Sequence, residues 1–487
     1  MIEKLKELSK DTAIYGISTI FGRFLGFLLV PFYTNVFSTS EYGLYAYLYS
    51  VIAFLNIVYI YGMDAAYLKY SSLEQENNNS DIFSTPFLFV AFTSVVISFI
   101  VFSFKHQVNN WLGIPSGYSY LLIYMLAIIL LDTLALIPFA SLRIERKASK
   151  FATIKILNIS INLTLNLLLI LYYKMGIEAI FISNIAASAF SLIVLIPDIL
   201  KKLKIKVNTA RLKQMLKFGL PYLPASIAAM IVQMIDVPIL RYLTNDSTVG
   251  IYRANYKLGI FMLLFVSMFQ YAWQPFFLNT AKDKNAKEIF SKVLTLFVLV
   301  ATLIWVVISL FINDLAKIEF LNGKTLIGKD YLVGIYIVPV VLFAYIFHGM
   351  YVNFNAGLYI EEKTKYFPYV TAAGATINII VNFLLIPVWG IMGAALATLA
   401  SYLTMAILMY FVSNKFYKVK YEFGRVIPNL IVTAFVLIAY YYLYNLGYLT
   451  ILLKFGLLVG FFFALILTGV LKKSEIVYAS KIIFGKR

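Results

Sequence analysis

Apolar runs of roughly 20 residues or more recur along the whole chain, separated by short polar breaks, and that is the length a helix needs to cross a hydrocarbon core. Fourteen such spans are predicted, near 11–36, 43–70, 82–104, 118–142, 150–173, 176–200, 213–241, 248–279, 288–312, 331–358, 366–388, 390–412, 426–445 and 448–471. The opening "MIEKLKELSK" is amphipathic and is followed by no small-residue cleavage site, so no removable signal peptide is expected. The fold class expected is all-α, a polytopic membrane protein of about 14 transmembrane helices.

The polar positions repeat as well. "LRIERKASKFATIKILNISINLTLNLLLI" (142–170) aligns with "LYIEEKTKYFPYVTAAGATINIIVNFLLI" (358–386) at one constant offset. Leu142, Ile144, Glu145, Lys147, Phe151, Asn162, Asn166 and Leu168 then meet Leu358, Ile360, Glu361, Lys363, Phe367, Asn378, Asn382 and Leu384. A weaker match pairs Pro31, Ser40, Gly43 and Tyr45 with Pro238, Ser247, Gly250 and Tyr252. An even number of spans precedes the second copy, so the copies are expected to be parallel, related by an axis along the membrane normal. The predicted organisation is an N-terminal lobe (1–200), a basic linker (201–217), a second six-helix lobe (213–412), two extra helices (426–471) and a tail (472–487). Two parallel lobes flanking a cleft suit an alternating-access transporter.

Composition changes the picture little. The 487 residues are 61% hydrophobic and 13% charged, with mean hydropathy +0.84; a soluble protein carries about 25% charged residues. There is no cysteine, which excludes disulfides and thiolate metal sites. The net charge of +18 invites a nucleic-acid reading, but the basic residues cluster in alternate loops between spans. Of 41 basic residues, roughly thirty fall on one side and about five on the other, which by the positive-inside rule makes both termini cytoplasmic.

The candidate chemistry is cationic. Ser9, Thr12, Gly16, Thr19, Arg23 and Gly26 recur at helical spacing, so Arg23 lies on a small, polar face of the first span. A charge at that depth faces a cavity or a structural partner rather than lipid. Arg253 and Lys257 stand one turn apart in the eighth span, and Lys155 lies in the fifth. Arg23, Arg253, Lys257 and Lys155 are the candidate substrate-binding set, suited to an anion that Arg grips bidentately and Lys meets as a point charge. Asp64, Asp236, Glu178 and His348 are candidates for ion coupling. Asn162, Asn166, Asn378 and Asn382 are read as structural interhelical contacts in both lobes. Pro221, Pro224 and Pro238 are expected to kink the seventh span. No metal-ligand cluster, phosphate-cradling loop or cofactor motif is found, and no cofactor is expected.

"GRFLGFLLVPFYTNVFSTSEYGLY", "YGMDAAYLKYSS", "LRIERKASKFA" and the N-x-x-x-N-x-L-L repeat with "GIMGAALAT" resemble the polysaccharide flippases, the O-antigen and capsule repeat-unit exporters of the multidrug/oligosaccharidyl-lipid/polysaccharide superfamily. The resemblance spans nearly the whole chain. It implies fourteen helices in two lobes around a cationic cavity, and flipping of undecaprenyl-diphosphate-linked oligosaccharide between leaflets of a bacterial cytoplasmic membrane. "GRFLGF" is similar to the first-helix motif of lipid II flippases, whose arginine lines the substrate cavity, and that role carries to Arg23 and by analogy to Arg253. Phe27 and Leu28 stand where a second charge is expected in those relatives. A lipid II flippase and a multidrug exporter are the alternatives, and a membrane glycosyltransferase or polymerase a remote one. Expected partners are lipid-linked oligosaccharide, membrane lipids and the polysaccharide polymerase and chain-length machinery, with no nucleic acid and a monomeric chain.

Overall fold

The computed structural model describes residues 22, 24–73, 81–319 and 323–471. It is all-α. Twelve helices among the described residues are long and apolar enough to cross a membrane, and two shorter apolar helices, Phe24–Thr34 (α1) and Ile451–Leu467, complete a set compatible with the fourteen expected spans. The chain packs as two compact units, Met1–Arg253 and Ala254–Arg487. This packing boundary falls inside the eighth expected span.

The first unit continues with α2 (Thr39–Ile60), α3 (Met63–Leu73), α4 (Asp81–Ser103), the short α5 (Lys105–Trp111), α6 (Leu121–Ile144), α7 (Ala148–Leu167) and α8 (Glu178–Lys202). The seventh span is broken into α9 (Thr209–Gly219), α10 (Tyr222–Met234) and α11 (Asp236–Leu243). The breaks fall beside Pro221 and just before Pro238, where the missing N–H and the ring interrupt the helical ladder. A capping box starts α2: Ser38 Oγ accepts from the Glu41 amide and Glu41 accepts from the Ser38 amide. His106 lies in α5.

Loops sort onto two faces of this unit. On one, Thr39 and Ser247 hydroxyls meet at 2.6 Å, Tyr118 donates to Glu41, and Tyr120 donates to Glu178. On the other, Asn208 N donates to Thr85, Lys204 N donates to Ser84, and Lys150 pairs with Asp198 at 2.5 Å. Lys202 joins this second face through Ser141 and Glu145. The strongly basic segments 143–150 and 201–217 thus share a face, and the basic-poor turns share the other.

At the basic-poor face α2 crosses α12 (Asp246–Tyr256) with almost no separation. A Cβ on Gly43 would sit 1.7 Å from the Asp246 carbonyl oxygen, and one on Gly250 1.9 Å from that of Thr39. Only glycine permits this approach. Gly43 and Gly250 are the matched pair of the weaker sequence repeat, so the repeat marks a helix crossing.

The second unit runs through α13 (Ile260–Thr280), α14 (Ala286–Ala316), α15 (Val338–Phe354), α16 (Ala356–Ile360), α17 (Phe367–Trp389), α18 (Ile391–Phe416), α19 (Phe423–Asn445) and α20 (Ile451–Leu467). α15 is buried along nearly its whole length. Its neighbours are anchored to it by indole donors: Trp305 Nε1 gives a 2.8 Å bond to Pro339 O, and Trp273 Nε1 reaches Asn353 O. The pair α19–α20 docks on α14 through polar contacts in apolar surroundings. Thr302 donates to Asn429, Thr295 donates to Glu422, and buried Lys454 pairs with Asp314.

The strong repeat is reproduced within each unit in backbone detail. Arg146 (φ 55°) and Glu362 (φ 53°), at the same offset, are both left-handed. Each is followed by the same closing bond, Lys147 N to Leu142 O at 2.9 Å and Lys363 N to Leu358 O at 2.8 Å, the long bond of a Schellman-type helix end. Lys174 (φ 56°) and Gly390 (φ 53°), at the same offset, share a positive φ at the next turn.

Candidate functional site

Several polar side chains of the first unit meet where α2, α6, α7 and α8 pack. Ser188 donates to Asp132 Oδ1 at 2.6 Å, and Asn184 donates to the Tyr49 hydroxyl at 2.9 Å. Lys155 stands 4.3 Å from the Phe139 ring centroid and is electrostatically coupled to Asp132. A cation over an aromatic face and within reach of a carboxylate keeps its charge among the helices rather than toward lipid. Asn158 donates to Ala187 O and Ser191 Oγ, tying α7 to α8.

The asparagines behave alike in the two units. Asn166 Nδ2 donates to Asn162 O (2.8 Å) and Oδ1 (3.1 Å); Asn382 Nδ2 donates to Asn378 O (2.9 Å) and Oδ1 (2.6 Å). These bonds run within one helix, at i and i+4, rather than between helices. An interhelical bond is added in the first unit, where the Tyr33 hydroxyl donates to Asn166 Oδ1 at 2.8 Å.

Arg253 is 9% exposed at the C-terminal part of α12, and Asp236, at the start of α11, is 3% exposed. The neighbouring Tyr252 hydroxyl donates to Asp236 Oδ2 at 2.5 Å. Arg253 lies within electrostatic reach of Asp236 and Tyr45, and its Nη2 is 3.6 Å from Met234 Sδ. The α10–α11 break thus buries a carboxylate within electrostatic reach of the guanidinium, hydrogen-bonded to Tyr252. The α-helix ends at Tyr256, and Lys257 begins a 3-10 turn, Lys257–Gly259, with its side chain half-buried.

The remaining candidates are placed as follows. Arg23, with the rest of its expected face apart from Gly26, lies outside the described residues. Glu178 accepts from Gly176 N at 2.9 Å and stands in the first turn of α8, where a carboxylate complements the helix dipole. Half-buried Asp64 occupies the same kind of position in α3. In the second unit His348 lies among aromatics, its ring centroid 4.8 Å from that of Tyr402 and its plane nearly parallel to that of Tyr351.

The sequence reading did not single out Asn184 and Ser188. Asn184, Ser188 and Ser191 follow one another by four and three residues, a polar stripe on an otherwise apolar helix, and that spacing was the available signal.

The chain matches the model of the family described as "Polysaccharide biosynthesis protein" over residues 35–324, more than half its length. It is 20% identical over 86% of its length, and 86% of the relative's, to a probable low-salt glycan biosynthesis flippase, Agl15, of Haloferax volcanii. It is 23% identical to an uncharacterized membrane protein of Methanocaldococcus jannaschii, over 83% of this chain and 85% of the other. Its fold is similar to that of the lipid II flippase MurJ in an inward closed conformation, with TM-score 0.74 and 16% identity, covering 96% of this chain and all of that one. An inward-facing multidrug resistance MATE family transporter of the MOP superfamily is similar over 81% of this chain and 94% of its own, with TM-score 0.65 and 11% identity.

Proposed function

The chain belongs to the polysaccharide biosynthesis protein family, and on that premise we propose that it flips undecaprenyl-diphosphate-linked oligosaccharide repeat units from the inner to the outer leaflet of a bacterial cytoplasmic membrane by alternating access. The glycan flippase named among its relatives supports the cargo class. The observation that carries the reading is the buried cation Arg253, kept at membrane depth beside a carboxylate that can be exchanged for another anion.

A charge at mid-membrane costs roughly 2.5–3.5 kcal/mol on insertion scales. Asp236 lowers that cost for Arg253 between cycles, and a diphosphate replaces it when cargo enters. Arg23 and Arg253 grip the diphosphate bidentately, and Lys257 and Lys155 add point charges. The prenyl tail stays in lipid throughout. Of the candidate coupling groups, Asp236 is the one that touches this chemistry; Glu178 and Asp64 serve helix starts, and His348 belongs to an aromatic cluster. Polymerase and chain-length machinery follow in the same assembly line, and both chain termini are cytoplasmic.

Arg23→Ala tests this reading. Flipping is lost while the protein still accumulates in the membrane, and Arg23→Lys restores part of it because the bidentate geometry is gone. Normal transport by Arg23→Ala defeats the cationic cavity. A drug-resistance phenotype with unchanged surface polysaccharide in a null strain favours a multidrug exporter instead.

A further inference from the structure

Apart from the buried cations, the first unit carries a surface cleft with its own chemistry. A cavity of about 380 Å³ opens where the end of α5 meets the turn between α11 and α12, lined by Tyr47, Trp111, Arg241, Tyr242, Asn245 and Asp246 among others.

The floor is rigid. Arg241 Nε and Nη2 donate to the two Asp246 carboxylate oxygens at 2.5 and 3.3 Å. Nη1 donates to Leu112 O at 2.6 Å and Nη2 to Gly113 O at 2.8 Å. The guanidinium carbon sits 4.0 Å from the Tyr47 ring centroid. Four of the five guanidinium N–H groups are thereby engaged, and one Nη1–H is left over. Gly113, at φ +61°, turns the chain so that two successive carbonyls meet one arginine.

The walls are of a different kind. Trp111 is 84% exposed and Tyr242 is 81% exposed. Asn245 Oδ1 accepts from Thr248 N and Oγ1, while its Nδ2 donors bond nothing among the described residues. Large aromatic faces beside a carboxylate and spare N–H donors match a pyranose. The C–H face of the ring stacks on the aromatic, and its hydroxyls donate to Asp246 and accept from Asn245 and Arg241. One cation and one anion in contact give the charged lining a formal charge of zero, which offers a diphosphate nothing. The volume lies near the lower end of the roughly 300–1,000 Å³ usual for ligand sites, enough for one or two sugar rings.

We infer that this cleft is a saccharide subsite on the basic-poor face, binding a neutral pyranose of the cargo glycan through Trp111 and Tyr242 as stacking walls and Asn245, Asp246 and Arg241 as polar floor. The inference rests on the proposed glycan cargo. Trp and Tyr also anchor proteins at the membrane interface, but that role needs neither a cavity nor a fixed ion-pair floor.

The test is saturation-transfer NMR on the full-length protein in nanodiscs, with maltotriose and triacetylchitotriose as probes. Saturable transfer to ring C–H protons is expected for at least one probe. Affinity falls at least about tenfold in Trp111→Ala, a loss of about 1.4 kcal/mol. Trp111→Phe retains binding, and inorganic pyrophosphate does not compete. Absence of saturable transfer from both probes, transfer undiminished in Trp111→Ala, or competition by pyrophosphate overturns the inference. Flipping of lipid-linked oligosaccharide is measured on the same preparation. Flipping without a sugar signal defeats the subsite alone, and a sugar signal without flipping defeats the transport reading alone.

Discussion

Gly43→Ala probes the α2–α12 crossing, and two effects of opposite sign compete there. Alanine raises intrinsic helix propensity by about 0.8–1.0 kcal/mol. Against that, its Cβ would lie 1.7 Å from the Asp246 carbonyl oxygen, where an unstrained C···O contact is about 3.3–3.6 Å. The obstacle is backbone, so the helices themselves must part by more than an ångström. Overpacking of this kind costs about 1–3 kcal/mol, which shifts an equilibrium between closed and open crossings about 5–150-fold. Because the propensity gain can mask this in melting, the assay must read the crossing itself. Thr39 and Ser247 oxygens are 2.6 Å apart, and the chain has no native cysteine. A Thr39→Cys/Ser247→Cys pair therefore oxidises readily to a disulfide, whose sulfurs are about 2.0 Å apart. Adding Gly43→Ala slows that cross-linking about tenfold or more, within the range just given. Gly117→Ala, where an added Cβ meets nothing within 4 Å, leaves it unchanged. An unaltered rate in Gly43→Ala refutes the close crossing.

Asp236→Ala takes away the buried acceptor of the Tyr252 hydroxyl, so the protein loses about 1–3 kcal/mol of stability, whereas Asp236→Ala with Tyr252→Phe recovers most of it; thermal unfolding in detergent measures both. Asn166→Ala lowers the melting temperature more than Asn382→Ala, because it also removes the interhelical acceptor of the Tyr33 hydroxyl, a bond worth about 0.6–1.7 kcal/mol. Lys174→Gly, which installs at this positive-φ position the residue found at the matching position 390, raises the melting temperature, and a fall refutes the equivalence drawn between Lys174 and Gly390.

The hydrophobic pattern made the helical class and the spans legible because membrane crossing imposes a length on each apolar run. The internal repeat was legible to the level of single residues: the offset that aligns Asn162 with Asn378 also aligns the left-handed Arg146 with Glu362. The kinks of the seventh span were announced by Pro221 and Pro238. The cleft was not legible. Its residues come from α2, the end of α5 and the α11–α12 turn, and no periodicity links segments so far apart in the chain. Arg241 in particular reads as one more basic residue at a helix end until its two carbonyl partners are known. Arg253 was identifiable as a cation at membrane depth, but its electrostatic reach to Asp236 depends on how the broken seventh span folds back. The division of the chain at Arg253 reflects packing, which the repeat pattern does not report.

The central claim is transport of a lipid-linked glycan, and reconstitution tests it most directly. Purified protein is placed in proteoliposomes carrying undecaprenyl-diphosphate-linked oligosaccharide on one leaflet, and the fraction accessible to an impermeant lectin is followed on the other. The account predicts that the glycan appears on the far leaflet with wild-type protein and not with empty vesicles or Arg253→Ala. Vesicles that show no transfer above the empty control, with protein shown to be folded and inserted, would contradict it.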